Sequence, residues 1–195
     1  MFNSPLQSTL AAIDDINKQD PNQSKINQKT CPKELIYGQL MSQCLHTYWP
    51  EANVCLQVAV RGQHIKRWHI PRSEFPIGKV GYLKWRKTLG IFHAQTTKEL
   101  MISSGFSEID AEKTAAIIRK EKLKLNTDSQ TLEDVACLVF LQYYFDPFAA
   151  KHDDQKIIRI IRLTWNKMSP QGHEIALTLT LPPHLAALVN KALSQ

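Results

Sequence analysis

The sequence predicts an all-α protein, one helical domain over residues 1–195 that closes with a C-terminal helical extension. Three observations predict it. Apolar residues recur at i, i+3 and i+4 through most of the chain, and helix-opening pairs such as Ser4-Pro5 and Ser107 with Asp110 precede several of these stretches. Only two segments alternate as strands would. With 195 residues and 43% hydrophobic content the chain is long enough for one core of ordinary size.

Ser4 and Pro5 open a first helix whose stripe is Leu6, Leu10, Ile13 and Ile16. The polar stretch 18–33 (KQDPNQSKINQKTCPK), poor in large apolar side chains, reads as a loop. Cys31-Pro32 opens a second helix, with Glu34 in its first turn, Tyr37, Met41, Cys44, Leu45 and Tyr48 on one face, and Pro50 as its stop. From Asn53, NVCLQVAVRGQHIKRW admits both periods: Val54, Leu56, Val58 and Val60 alternate, while Cys55, Leu56, Ala59, Val60, Gln63 and His64 follow helical spacing. Helical neighbours on both sides favour helix. Residues 71–81, with two prolines, Gly78 and Gly81, mark an ordered loop.

The next helix sets Trp85, Leu89, His93, Thr97 and Met101 at successive i+4 positions and ends at Ser104-Gly105. Ser107 and Asp110 open another, whose basic run from Arg119 to Lys124 reads as a solvated helix end. Cap candidates in 127–130 precede a helix that is apolar nearly all round through VACLVFL, the expected central helix. Asp153 caps a helix carrying Ile157, Ile158, Ile161, Trp165 and Met168. EIALTLTL (174–181) alternates but has no evident partner strand, so it reads as irregular or helical. A last helix follows Pro182-Pro183.

Composition excludes several classes. The longest apolar run, Val135 to Leu141, falls far short of the roughly 18 residues of a membrane span. No basic leader and apolar segment open the chain, so a cytoplasmic address is expected. Cys31, Cys44, Cys55 and Cys137 form no C-x-x-C pair, which removes zinc ribbons and thioredoxin-like motifs. Lys+Arg 24 against Asp+Glu 18 gives +6, a field that favours anionic partners. P-loop, Rossmann, nucleophile-elbow and zincin signatures do not occur.

Glu34, Gln63, His64, His69, His93, Glu133 and Asp134 stand on or beside apolar helix faces, and buried polar groups need partners. Packing the two histidine-bearing helices together brings His64 and His93 into one interior, while Glu133 and Asp134 enter the first turn of the most apolar helix. Imidazoles facing carboxylates suit a divalent cation or general acid and base work. The plainer reading is structural, since the helix dipole favours acids in a first turn and a buried histidine often bonds only a carbonyl. Arg61, Lys66, Arg67 and Arg72, then Lys84, Arg86 and Lys87, gather around the same stretch, and planar guanidinium groups suit phosphate. Trp68 and Trp85 among them suit base stacking or core packing. His152-Asp153 reads as a helix start, not a metal pair.

QHIKRWHIPR (63–72), GYLKWRKTLGIFHA (81–94), QTLEDVACLVFL (130–141) and KMSPQGH (167–173) follow one another as in one known group. On these segments, from about Leu6 to Leu181, the chain resembles the domain of unknown function 4202 family, some of whose members bear the name glutamyl-tRNA synthetase. KMSPQ shares only three letters with a KMSKS-type signature and has no HIGH-type partner. The order of features also resembles the HD superfamily of metal-dependent phosphohydrolases. Gln63-His64 falls at that family's His-Asp pair, His93 at a later histidine, and Asp134 or Glu133 at its late acid. Its first histidine has no counterpart, because Glu34 and Tyr37 occupy that region. The resemblance implies a single HD-like helical bundle.

Together these readings lead to an expected metal-dependent phosphohydrolase acting on a nucleotide or another phosphate-bearing small molecule. His64, His93 and Asp134 would hold a divalent ion (Mn, Fe, Ni or Zn) that lowers the pKa of bound water. Glu34 or Glu133 would accept a proton, and Gln63, Arg67, Arg72 and Arg86 would hold the substrate. The alternative is a non-catalytic binding module for RNA, tRNA or an acidic protein. A third expectation, a structural part of a larger complex, needs an exposed patch near Phe145, Pro147 and Phe148. The expected assembly is a monomer or homodimer.

Overall fold

The computed structural model describes residues 4–26 and 29–194, and apart from one short hairpin these residues form helices, turns and loops. Helix α1 (Pro5–Asn17) starts in a reciprocal capping box between Ser4 and Gln7, with Pro5 in its first turn. Strands β1 (Gln23–Ile26) and β2 (Lys29–Pro32) then pair antiparallel. Much of the stretch expected to be a loop is therefore a hairpin. Its strands hold almost no large apolar side chain, so the alternation that announces a half-buried strand is absent. Asn27 and Gln28 of that expected loop, and Met1, Phe2 and Asn3 of the N-terminal stretch, lie outside the described residues.

Helix α2 (Lys33–Tyr48) begins behind Pro32, which has no side chain to cap it. Asp20 supplies the cap from the preceding turn: its Oδ2 accepts the Glu34 N–H at 3.0 Å, while Oδ1 accepts from Asn22. The ambiguous segment is helix α3 (Val54–Gly62), opened by the Asn53 side chain. Cys55, Leu56, Val58, Ala59 and Val60 are all buried. An element that is apolar on every side satisfies both periods, so the capping asparagine decides between them.

Two short 3-10 turns (Arg67–His69 and Arg72–Glu74) lead to the long α4 (Lys79–Ser103), on which Leu89, His93, Thr97 and Met101 are buried. Helix α4 ends in a Schellman motif, with Gly105 at φ 97, its N–H on the Ile102 carbonyl and the Phe106 N–H on the Met101 carbonyl. Helix α5 (Glu108–Ile118) is capped by Ser107, and α6 (Thr127–Val139) by Asn126, one residue before the expected candidates. A π-helical turn (Phe140–Tyr144), α7 (Phe145–Ala149), α8 (Asp154–Trp165, capped by Asp153), α9 (Pro170–Thr178) and α10 (Pro183–Leu193) follow. The alternating EIALTLTL starts as the end of α9. No helix among the described residues is long and apolar enough to cross a membrane.

The chain divides into two compact units, Met1–Leu132 and Glu133–Gln195. In the first, α3 packs against α1, α2, α4 and α5, and Ile13, Val58, Ile65, Met101 and Ala111 form a core. Gly62 permits the closest approach of α3 to α4, since a Cβ there would stand 2.6 Å from Thr97 Oγ1. In the second unit α8 packs against α10 over Leu141, Phe145, Ile157, Ile161 and Leu185. Phe145 is fully buried and Phe148 half-buried in that core, so the exposed aromatic patch expected of a structural partner is not formed there.

Candidate functional site

Three elements of the first unit wall a cavity of about 490 Å³. Gln63, His64 and Arg67 come from the end of α3 and the turn after it, Arg86, Lys87, Gly90 and His93 from α4, and Ile118, Arg119, Lys120 and Glu121 from the end of α5. Two backbone positions shape its walls. Lys66 and Lys120 take left-handed φ values of 51 and 57, which cost a residue with a side chain on the order of 1 kcal/mol each. At Lys66 the conformation is held by buried Asn17, whose Oδ1 accepts the Lys66 N–H at 2.9 Å. The Asn17 amide also donates to the Glu34 carbonyl at 3.4 Å, so the last residue of α1 ties together the segments that carry His64 and Glu34.

His64 Nε2 lies 2.8 Å from Arg67 Nη1, and Nδ1 lies 3.2 Å from Glu34 Oε2. A guanidinium has no lone pair to offer, so Nε2 accepts from Arg67 and Nδ1–H donates to Glu34. The ring stacks on Tyr37 with centroids 4.4 Å apart, and the Gln63 amide donates to the Tyr37 hydroxyl at 3.2 Å. Burial, reinforced by Arg67 and Arg86, holds His64 well below the usual histidine range, so the imidazole is neutral. Burial pushes the Glu34 carboxyl up, against the downward pull of Arg67.

His93 Nδ1 lies 2.7 Å from the Ile65 carbonyl oxygen. A carbonyl only accepts, so Nδ1 carries the hydrogen and Nε2 presents a bare lone pair. That Nε2 is buried and has no hydrogen-bond partner among the described residues. Burial, with His64 and Arg67 adding to it, lowers the His93 pKa to about 3.

The cations of the cavity differ in their partners. Arg119 is neutralised twice, by Glu112 at 2.8 Å and Glu121 at 2.6 Å. Arg67 instead lies 4.9 Å over the Trp85 ring, whose Nε1 donates to the Ile70 carbonyl. Among the described residues the one hydrogen bond of Arg86 is to the Tyr82 hydroxyl, at 3.5 Å. Among the described residues, no carboxylate ion-pairs with Arg67, Arg86 or Lys87. The cavity therefore keeps an excess of positive charge, which Glu34 offsets only in part through its field on Arg67.

A sequence profile described as a domain of unknown function (DUF4202) matches residues 7–189. The chain belongs to that family. No curated protein and no solved structure matches it.

A divalent cation in this DUF4202 chain would need several converging lone pairs. Among the described residues no group of three or more His, Cys, Asp or Glu side chains is placed to hold a metal ion. His64 uses both ring nitrogens on Glu34 and Arg67, His93 offers a single lone pair, and Arg67, Arg86 and Lys120 surround the imidazoles with positive charge. The donors as placed do not fit a hydrolytic metal centre and suit an anion better.

Of the residues singled out in the sequence, the structure brings His64, His93, Gln63, Arg67 and Arg86 to one cavity, with Glu34 behind His64. Arg72 clasps its own loop, donating to the carbonyls of Phe75 at 2.7 Å and Pro76 at 2.8 Å. Glu133 and Asp134 belong to the second unit. There Asp134 accepts from the Ser169 N–H at 2.8 Å and from its hydroxyl, and Glu133 lies 3.7 Å from Lys167. Sequence reasoning placed Arg119 and Lys120 on a solvated helix end, whereas both line the cavity. It also missed Asn17 and Asp20. For Asn17 a signal existed, since it continues the buried stripe four residues after Ile13.

Proposed function

We propose that this protein binds a phosphate-bearing small molecule in the cavity between α3, α4 and α5. One observation carries the reading: Arg67, Arg86 and Lys87 face a cavity of about 490 Å³ and, among the described residues, none of the three forms an ion pair with a carboxylate, Glu34 acting on Arg67 only through its longer-range field. That volume falls within the ordinary range of small-molecule sites, roughly 300–1,000 Å³. Arg67, fixed between His64 and the Trp85 ring, is pre-oriented and loses little freedom on meeting a phosphate. Arg86 and Lys87 stand at the exposed rim, where they suit the remaining charge of a nucleotide or sugar phosphate.

The same arrangement gives hydrolysis a metal-independent route. A phosphate that draws Arg67 away bares His64 Nε2, while Nδ1–H stays on Glu34. Losing that contact and gaining an anion both raise the imidazole pKa, so binding would let His64 Nε2 take the proton of a water that bonds to phosphorus, while the P–O bond to the leaving group breaks and that proton then passes to the departing oxygen.

Titration with ADP and with inorganic pyrophosphate, followed by tryptophan emission, tests the binding. Saturable, mutually competitive binding of both is expected. Failure of both at millimolar concentration overturns the reading. If polyuridylate then binds with an affinity that falls steeply with salt, the RNA-binding alternative takes its place.

A further inference from the structure

We propose that His93 reads a hydroxyl or amine hydrogen on the bound phosphate compound, so that the cavity selects a polyol phosphate over a bare one. This inference rests on the phosphate-binding reading of the same cavity and names the second half of its ligand. The Ile65 carbonyl fixes the hydrogen on His93 Nδ1, which leaves Nε2 as an acceptor only. Nε2 is fully buried and without a partner among the described residues, in a side chain that is 2% exposed and lines the cavity. A buried acceptor left unsatisfied is costly, and a ligand that satisfies it recovers that cost on binding.

The lone pair also sorts what can approach. The oxygens of a fully ionised phosphate monoester are acceptors only and are repelled by Nε2, so they go to Arg67, Arg86 and Lys87. A metal ion is disfavoured by those same cations. What remains is an O–H or N–H donor, and its neutrality suits a residue surrounded by positive charge. The ligand is therefore bifunctional, with phosphate toward the arginines and a donor toward His93. A ribose 5-phosphate unit, free or within a nucleotide, has both.

The test compares inorganic phosphate, ribose 5-phosphate and tetrahydrofurfuryl phosphate, which keeps the phosphate and ring oxygen but has no hydroxyl. Ribose 5-phosphate is expected to bind about tenfold tighter than the hydroxyl-free analogue, the effect of one hydrogen bond to a buried acceptor. In His93→Gln the preference should shrink while phosphate binding remains. Nitrogen-15 NMR of the unsubstituted protein at pH 8 needs no variant: the His93 Nε2 resonance should move upfield with ribose 5-phosphate and stay in place with tetrahydrofurfuryl phosphate, whose dianion carries no O–H. Equal affinity for the sugar phosphate and its analogue, or an unmoved Nε2 resonance at saturation, overturns the His93 inference while anion binding stands. Binding of none of the three overturns both.

Discussion

Two neutral imidazoles set among cations, His93 buried and His64 half-buried, make the stability of the first unit depend on pH in a direction the structure fixes. Consider His93, whose pKa falls from the ordinary 6.5 to about 3 on folding. The unfolded chain takes up a proton that the folded chain refuses, so the stability contributed by neutral burial is complete above 6.5 and is lost as pH falls toward 3. At pH 5 the unfolded histidine is almost fully charged and the folded one is not, which amounts to about 2 kcal/mol lost relative to pH 8. Any folded value below about 4 gives nearly the same figure, because the unfolded state sets it. His64 acts in the same direction, whereas Glu34, raised by burial, contributes stability that is lost as pH rises.

Replacing His93 by Gln isolates one contribution, since the amide can still donate to the Ile65 carbonyl but does not titrate. Urea unfolding at pH 8 and pH 5 is the assay, read by tryptophan emission, because Trp49, Trp68 and Trp85 all lie in the first unit. The unsubstituted protein should lose about 2 kcal/mol more than His93→Gln between the two pH values. Equal losses would refute the burial of a neutral His93.

Other substitutions probe the scaffold. Gly62→Ala places a Cβ 2.6 Å from Thr97 Oγ1 and should cost ~1–3 kcal/mol in thermal unfolding; adding Thr97→Ala, which removes the colliding atom, should recover most of it. Asp20→Ala removes the cap of α2 and should cost ~1–2 kcal/mol, while Asp20→Asn, which keeps one acceptor oxygen, costs less; urea unfolding distinguishes the two. Asp134→Ala strips Ser169 of its acceptor in the second unit and should lower the melting temperature by more than Ser169→Ala, which leaves the bond from the Ser169 N–H in place.

Most of the helices were legible because their starts are written locally: Ser4-Pro5, Ser107 and Asp153 each cap the helix expected of them, whereas Ser169, read only as the end of the preceding helix, caps α9. The hairpin was not, because its register is set by Asp20, Asn22 and backbone pairing instead of by an apolar face. The same division runs through the site. His64, His93, Arg67 and Arg86 stand out as polar residues continuing or flanking apolar stripes, and the structure gathers them. Arg72 and Lys120 exchange roles relative to expectation for a reason no spacing reveals. One folds back onto carbonyls five residues or fewer away, and the other is turned toward the cavity by a left-handed backbone. The partners of Glu133 and Asp134 are likewise set by tertiary packing, with Lys167 and Ser169 more than thirty positions along the chain.

The cavity's role as an anion site is tested most directly by isothermal titration of inorganic pyrophosphate into the unsubstituted protein and into Arg67→Met, Arg86→Met, with circular dichroism confirming that both are helical. Each lost charge-assisted contact is worth roughly 1.5–3 kcal/mol. The double variant, losing two such contacts, should therefore bind at least about a hundredfold more weakly. Pyrophosphate binding that is unchanged by removing both guanidinium groups would contradict the assignment of this cavity.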